Sequence, residues 1–330
     1  MKRRLLSVVV LLVVAGCGLA PAPARGLPAP GPAEPVRLWQ DAAIFATVSR
    51  LVGGASARVL VEMYEFGRAD LEDALVAARR RGLDVRLVYD PSVAQSARAA
   101  ARLAARGLPL RSYPVDDRRH QIDHVKLLVA DGRALVAGMN WGANSARNHD
   151  YGLETWSPAA LERLTAIFEQ DWSLAGGVPR PLVAAGSPAF QTAPGTEVRG
   201  VLLGLLGAAR AEVRAEVFVL TDREVLAALA GAHRRGVRVR VLLDPRQDVN
   251  LPSRRLLEQA GIEVRWYPAP PGTKLHAKVG LFDSGRLLLG SANWSASGLS
   301  VNHELDLETT DPVAIRTYAS RFEADWSASR

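Results

Sequence analysis

A single unit of about 154 residues is written twice in this chain. VLVEMYEF (59–66) returns as VRAEVFVL (213–220), which places Glu62 over Glu216. ALVAARRRGLDVRLVYDP, ending at Pro91, returns as ALAGAHRRGVRVRVLLDP, ending at Pro245, and RSYP (111–114) as RWYP (265–268). HVKLLVAD from His124 returns as HAKVGLFD from His276, NHDYGLET from Asn148 as NHELDLET from Asn302, and FEQDWS (168–173) as FEADWS (322–327). Solenoid modules repeat at about 20–50 residues, so units of this size are whole globular lobes. Lobe 1 is read as 36–178, a Gly/Pro/Ala linker as 179–196, and lobe 2 as 197–330.

Both copies follow one plan. An apolar strand leads to a helix with Asp70 or Thr221 expected at the N-cap, the latter in a Thr221-Asp-Arg-Glu224 capping box. Gly82 or Gly236 ends that helix, because the C′ position favours positive φ. A Val/Leu/Arg strand, a second helix and a short strand ending in Tyr-Pro follow. This β-α-β-α-β order predicts an α/β fold with a largely parallel sheet covered by helices. Ser157-Pro158 and Asp311-Pro312 start a closing helix, with Pro at its first position.

The chemistry concentrates between the Tyr-Pro strand and the closing helix. Side chains at i and i+2 of a strand share a face, so His124 projects with Lys126 and His276 with Lys278. Asp131-Gly132 and Asp283-Ser-Gly285 read as hairpin turns, and the return strands bring Asn140 and Asn293 back toward those pairs. HxKxxxxD followed by G(S/G)xN, present twice, resembles the signature of the phospholipase D superfamily. The second copy, HAKVGLFDSGRLLLGSAN, matches throughout. In the first, HVKLLVADGRALVAGMN, Ala137 replaces a Gly, Gly138 stands at the Ser291 position, and the return is one residue shorter. The resemblance implies two duplicated α-β-α lobes packed with pseudo-twofold symmetry and an active site between them. It also implies a phosphohistidine intermediate and no metal or other cofactor.

The residue types suit that chemistry. A phosphodiester is anionic, and Lys126, Lys278, Asn140, Asn293 and the Ser291 hydroxyl can all donate to its oxygens. Two imidazoles can divide the work across phosphorus, one as nucleophile and one as acid and base. We assign His124 the first role and His276 the second. Asp150 and Glu304, at equivalent repeat positions, are expected to orient the histidines. Asp131 and Asp283 are read as structural turn residues. His149 and His303 are expected to pack, as are Trp141, Trp172, Trp294 and Trp326. A metal at His124 and His276 is disfavoured by the lysine two residues from each. Both half-sites lie on one chain, so a monomer suffices for catalysis.

The N-terminus reads as an address. Lys2, Arg3 and Arg4 precede an apolar run from Leu5 to Gly16, which at about 18 Å is too short to span a bilayer. Residues 1–16 read as a signal peptide. Val14-Ala15-Gly16-Cys17 resembles a bacterial lipobox, which implies acylation of Cys17 and an exported, membrane-anchored lipoprotein. Residues 17–35 form a Pro-rich tether. Cys17 is the one cysteine of 330 residues, which excludes a disulfide framework and a Cys-based zinc site within the chain. The formal charge is +7, and three of those charges belong to the signal peptide, leaving +4. Basic character and a lipid anchor favour anionic partners at a membrane. The expected activity is hydrolysis of phospholipid headgroups to phosphatidate. Cleavage of nucleic acid, cardiolipin-synthase-like phosphatidyl transfer and non-enzymatic binding of anionic lipid are the alternatives.

Overall fold

The computed structural model describes residues 34–329 except 182 and 185. The expected signal peptide, Cys17 and nearly all of the tether therefore lie outside the described residues. Lobe 1 runs β1 (Val36–Gln40), α1 (Ala43–Gly54), β2 (Arg58–Met63), α2 (Ala69–Arg80), β3 (Asp84–Tyr89), α3 (Ala94–Ala105), β4 (Leu110–Ser112), β5 (Lys126–Ala130), β6 (Arg133–Ala137), β7 (Tyr151–Thr155) and α4 (Pro158–Ala175). Lobe 2 repeats this as β8 (Ala189–Thr192), α5 (Glu197–Ala208), β9 (Glu212–Val217), α6 (Arg223–Arg234), β10 (Arg238–Leu243), α7 (Leu251–Gln259), β11 (Glu263–Trp266), β12 (Lys278–Phe282), β13 (Arg286–Gly290), α8 (Ala296–Ser300), β14 (Glu304–Thr309) and α9 (Pro312–Ala328).

Each lobe holds a seven-stranded sheet, ordered β1-β7-β6-β5-β2-β3-β4 in lobe 1 and β11-β10-β9-β12-β13-β14-β8 in lobe 2. The sheets are mixed, where the element order had predicted largely parallel ones. Among the strands of the described residues, β2-β3-β4 and β9-β10-β11 pair in parallel and the rest antiparallel. The hairpins β5-β6 and β12-β13 join antiparallel, because a tight turn cannot connect parallel neighbours. A second correction concerns the linker: β8 lies inside 179–196 and pairs with β14 as the edge strand of lobe 2. The edge strand and first helix of each lobe, β1-α1 and β8-α5, carry weak duplication and were not read from the sequence. The cap of α6 is Asp222, whose carboxylate accepts from Glu224 N (3.0 Å) and Val225 N (3.1 Å), one residue after the expected Thr221. Asp70 lies in the first turn of α2 and pairs with Arg68.

Three apolar clusters result. One lies on the outer face of each sheet, under α1 and α2 in lobe 1 and α5 and α6 in lobe 2. The third runs through both lobes, joining Leu127, Val136 and Phe168 to Leu287, Leu305 and Phe322. The seam is therefore a continuous core. This rigidly fixes the two hairpins relative to each other, as a close-packed interior permits few alternative arrangements. Among the described residues no helix is long and apolar enough to cross a membrane.

The motif departures of lobe 1 have a structural reason. Gly290 faces Asp306 across β13-β14, where a side chain at 290 would meet Asp306 Oδ1 at 2.3 Å. In lobe 1 the glycine has changed strands: Ala137 faces Gly152. The same space is emptied from the opposite side.

Candidate active site

Both hairpins deliver their histidines to the seam just before β5 and β12. Each histidine is held there by the other lobe's backbone: His124 N–H donates to the His303 carbonyl and His276 N–H to the His149 carbonyl, both at 2.8 Å. Asp131 and Asp283 sit at the hairpin turns with φ near +50°. The Asp131 carboxylate accepts the backbone N–H groups of Ser56, Ala57 and Arg58, and Asp283 those of Arg210, Ala211 and Glu212. They fasten each hairpin to the loop before the neighbouring strand and lie away from the seam chemistry.

The orienting acids are crossed. His124 Nδ1 lies 2.8 Å from Glu304 of lobe 2, and His276 Nδ1 lies 2.7 Å from Asp150 of lobe 1. Both histidines are 5% exposed, and Asp150 and Glu304 are essentially inaccessible. With Nδ1 committed to a carboxylate, Nε2 of each ring is the nitrogen left for chemistry. Lys126 and Lys278 donate to the carbonyls of His124 and His276, and Lys278 Nζ also stands 3.1 Å from His276 Nδ1. Each His–Lys pair has an aromatic wall that sequence inspection missed. Tyr64 meets the His124 ring edge-on at 4.8 Å, and Phe218 lies 4.8 Å from His276. Their signal was present, since both copies keep an aromatic just after the first parallel strand, 154 residues apart.

Burial sets the protonation states. It pushes His124 down to about 4, a fall that Lys126 reinforces and Glu304 opposes, and it drives His276 well below its ordinary value with Lys278 acting in the same direction. Lys126 is lowered to about 7 and Lys278 to about 8, again by burial first. Asp150 is raised by burial to about 7, with Lys278 opposing. Glu304 stays below its ordinary value in spite of burial, held ionised by His124 and Lys126. The site thus holds two neutral imidazoles beside two ammonium groups whose desolvation an incoming anion would relieve. That arrangement fits nucleophilic attack on a phosphodiester and stabilisation of its developing charge.

Two proposed phosphate donors are placed differently from expectation. The Ser291 hydroxyl donates to Glu304 (2.6 Å) and accepts Leu305 N–H (2.9 Å), so it steadies the acid and has no proton left for phosphate. Gly138 lacks that hydroxyl for a reason of space: a Cβ there would lie 2.2 Å from Asp150 Oδ1. The shorter aspartate takes a Tyr151 N–H bond in its place (2.9 Å). Asn140 donates to Glu65 (3.0 Å), a residue sequence inspection did not select, while its carbonyl oxygen and that of Asn293 are buried without partners among the described residues.

His149 and His303 do more than pack. His303 faces Glu62 and Asp171 across the seam, and His149 faces Asp325 and, farther off, Glu216. The tryptophans behave as expected: Trp141, Trp294 and Trp326 are buried, and Trp172 packs under Arg111 and Arg86.

Comparison with known proteins bears on the family and the fold. A family model described as "Cardiolipin synthase, PLD-like domain" matches twice, over residues 48–172 and 202–326. A probable cardiolipin synthase, YwiE, of Bacillus subtilis is 25% identical over 328 residues, covering 86% of this chain and 64% of its own length. The human mitochondrial cardiolipin hydrolase is 36% identical over 126 residues, 38% of this chain and 49% of its own. The chain therefore spans about half to two thirds of the length of these relatives. The crystal structure of a phosphatidylserine synthase from Haemophilus influenzae superposes with a TM-score of 0.73 at 15% identity, covering 90% of this chain and 88% of the other. The chain belongs to the cardiolipin synthase, phospholipase D-like family, with one domain of that family in each lobe.

Proposed function

We propose that this phospholipase D-like enzyme is a phosphatidyl transferase, moving a phosphatidyl group between alcohols through a histidine-bound intermediate. The crossed His–acid pairs, with a buried lysine beside each histidine, carry the reading. The bound anion and Asp150 favour His276 as the imidazolium; His124 Nε2 attacks phosphorus, the P–O bond to the headgroup breaks, and the leaving oxygen takes the Nε2 proton of that imidazolium, which becomes neutral imidazole. An acceptor alcohol then gives its O–H proton to His276 and attacks phosphorus as the P–N bond breaks. Lys126 and Lys278 hold the non-bridging oxygens throughout. Resemblance to a cardiolipin synthase over most of the chain puts transfer ahead of hydrolysis, the outcome expected from the motifs. A nearly closed site favours an alcohol carried by the substrate over bulk water. Hydrolysis is the second reading, supported by the single-lobe likeness to a cardiolipin hydrolase. An acyl anchor at Cys17 would hold the site beside its lipid.

The test uses purified protein with phosphatidylglycerol vesicles, with and without added glycerol or ethanol, and single-stranded DNA as a separate substrate. Cardiolipin or phosphatidylethanol as main product supports transfer. Phosphatidate dominating in the presence of acceptor returns the hydrolase reading, and faster cleavage of DNA than of lipid sinks both. Rapid quench with labelled lipid should trap label on His124; label on His276 reverses the two roles.

A further inference from the structure

Behind each reactive histidine lies a buried cluster built from equivalent repeat positions. On one side are Glu216, His149 and Asp325; on the other are Glu62, His303 and Asp171, each 154 residues from its counterpart. The first cluster is largely satisfied by groups of the chain itself, with Glu216 Oε1 alone among its buried acid oxygens lacking a partner among the described residues. Arg321 pairs with Asp325 at 2.6 Å, and the Tyr151 hydroxyl donates to Glu216 at 2.6 Å. His149 Nδ1 lies 2.6 Å from Asp41 and Nε2 3.0 Å from the Tyr151 hydroxyl.

The second cluster keeps the acids and loses both neutralising groups. The position of Tyr151 is taken by Leu305 and that of Arg321 by Ile167, both fully buried aliphatics. Glu62, Asp171 and His303 have no exposed side-chain surface, and Asp123 beside them is equally buried. Neither oxygen of Glu62 has a hydrogen-bond partner among the described residues, nor does Asp123 Oδ2. A buried carboxylate left in that state is costly unless it is paired or binds a metal.

The ring of His303 is set for a ligand. It stacks on Tyr113 at 4.6 Å, and Nδ1 faces the carbonyls of Ala193 and Thr192 at 3.2 and 3.3 Å. A proton on Nδ1 aims the Nε2 lone pair at Asp171 Oδ2 (3.2 Å) and Glu62 Oε1 (3.4 Å). Carbonyl bonding of the remote ring nitrogen is the usual support of a metal-bound histidine. The two contacts are longer than the 2.7 and 2.8 Å of the reactive His–acid pairs. They match the edge of a tetrahedron around zinc, about 3.3 Å for ligands at about 2.0–2.1 Å. One proton on Nε2 could bond one of these oxygens and would leave the other, with Asp123, uncompensated. A cleft of about 680 Å³ is lined in part by Tyr113 and Ala193, the two residues whose ring and carbonyl contact His303.

We propose that Glu62, Asp171 and His303 bind a divalent cation, with zinc the probe because its ligand spacing fits these contacts, and with Asp123 beside it as a further oxygen ligand. The site is separate from the reacting atoms and ties lobe 1 to lobe 2. It acts on catalysis through the backbone, since the His303 carbonyl holds His124 N–H. The Glu216 cluster, closed by Arg321 and Tyr151, binds no ion.

Untagged full-length protein, loaded with zinc and dialysed against metal-free buffer, should retain about one zinc per chain by elemental analysis. Glu62→Gln should retain none and Glu216→Gln should retain it. Chelator should lower the melting temperature of wild type and leave that of Glu62→Gln unchanged. Cobalt substitution should give the visible bands of a four-coordinate ion. Wild-type protein that holds less than about a tenth of an equivalent of zinc, with a chelator-insensitive melt, overturns the site and leaves protons as the neutralising charge. Equal zinc loss from Glu62→Gln and Glu216→Gln overturns the assignment to this cluster. Should Glu62→Gln fail to fold, the wild-type measurements decide alone.

Discussion

Replacing Asp150 by Asn tests the crossed geometry most directly. Asp150 belongs to lobe 1, yet its carboxylate lies 2.7 Å from His276 of lobe 2. An Asn side chain is nearly the same shape and keeps an oxygen for the Tyr151 N–H bond at 2.9 Å. Its NH2 group then faces His276 Nδ1 and donates where the carboxylate accepted. The neutral ring is then held with its proton on Nε2 and no acceptor at Nδ1, so the imidazolium that protonates the leaving oxygen is disfavoured and Nε2 has no lone pair for the entering alcohol's proton. A charge-assisted bond of this kind contributes about 1.5–3 kcal/mol. The wrong tautomer raises the loss to about 10³–10⁴ in kcat, as for an Asp→Asn change behind a catalytic imidazole elsewhere, or about 4–5.5 kcal/mol of barrier. Stability should barely fall, because burial already penalises the Asp150 charge, raising its pKa to about 7. The assay is phosphatidyl transfer in mixed micelles, paired with ¹⁵N spectra of the histidine rings. Asp150→Asn should move the His276 nitrogens and leave those of His124 in place, and Glu304→Gln should do the reverse. A kcat loss under tenfold, or a ring shift at His124 in place of His276, would refute the crossed assignment.

Three further outcomes follow from the same contacts. The profile of kcat/KM against pH should be a narrow bell: activity falls as pH drops through about 7, where Asp150 takes a proton, and falls again above about 7–8, where Lys126 and Lys278 lose theirs. The alkaline limb of kcat should lie higher, since bound phosphodiester favours both ammonium groups; a flat profile from pH 6 to 9 contradicts this. Gly138→Ala should displace Asp150, whose oxygen lies 2.2 Å from the added carbon, costing about 1–3 kcal/mol of stability and most of the activity; denaturant melts and turnover read both. Asp283→Ala removes the acceptor of the Arg210, Ala211 and Glu212 N–H groups and, because these bonds are exposed, should lower stability by about 0.5–1.5 kcal/mol. An unchanged urea midpoint would show those bonds replaced by water.

How much of this was legible depends on the kind of contact. The duplication, the hairpins and the His-x-Lys faces are local patterns with strand periodicity, and they could be read from the residues. Ala137 looked like a degenerate motif residue, yet its partner Gly152 sits across a strand pair whose register no single segment displays. Ser291 looked like a phosphate donor until its neighbour Glu304 was seen to take its proton. Tyr64, Phe218 and Glu65 went unselected because an aromatic or an acid after a strand has many ordinary uses, and only proximity to His124, His276 and Asn140 distinguishes them.

The amino-acid order by itself determined two equivalent α/β lobes, a pair of histidines and lysines on matching hairpins, and acids at matching positions. Folding decided which acid serves which imidazole, because pseudo-symmetric packing lets each hairpin reach past its own lobe and take a carboxylate and a backbone carbonyl from the other. Folding also decided the charge states, since a seam dry enough to lower both lysines exists only once the lobes have closed on each other. Sequence records what each half carries; partnership between halves is a property of the interface, and an interface has no local signature in either strand that forms it.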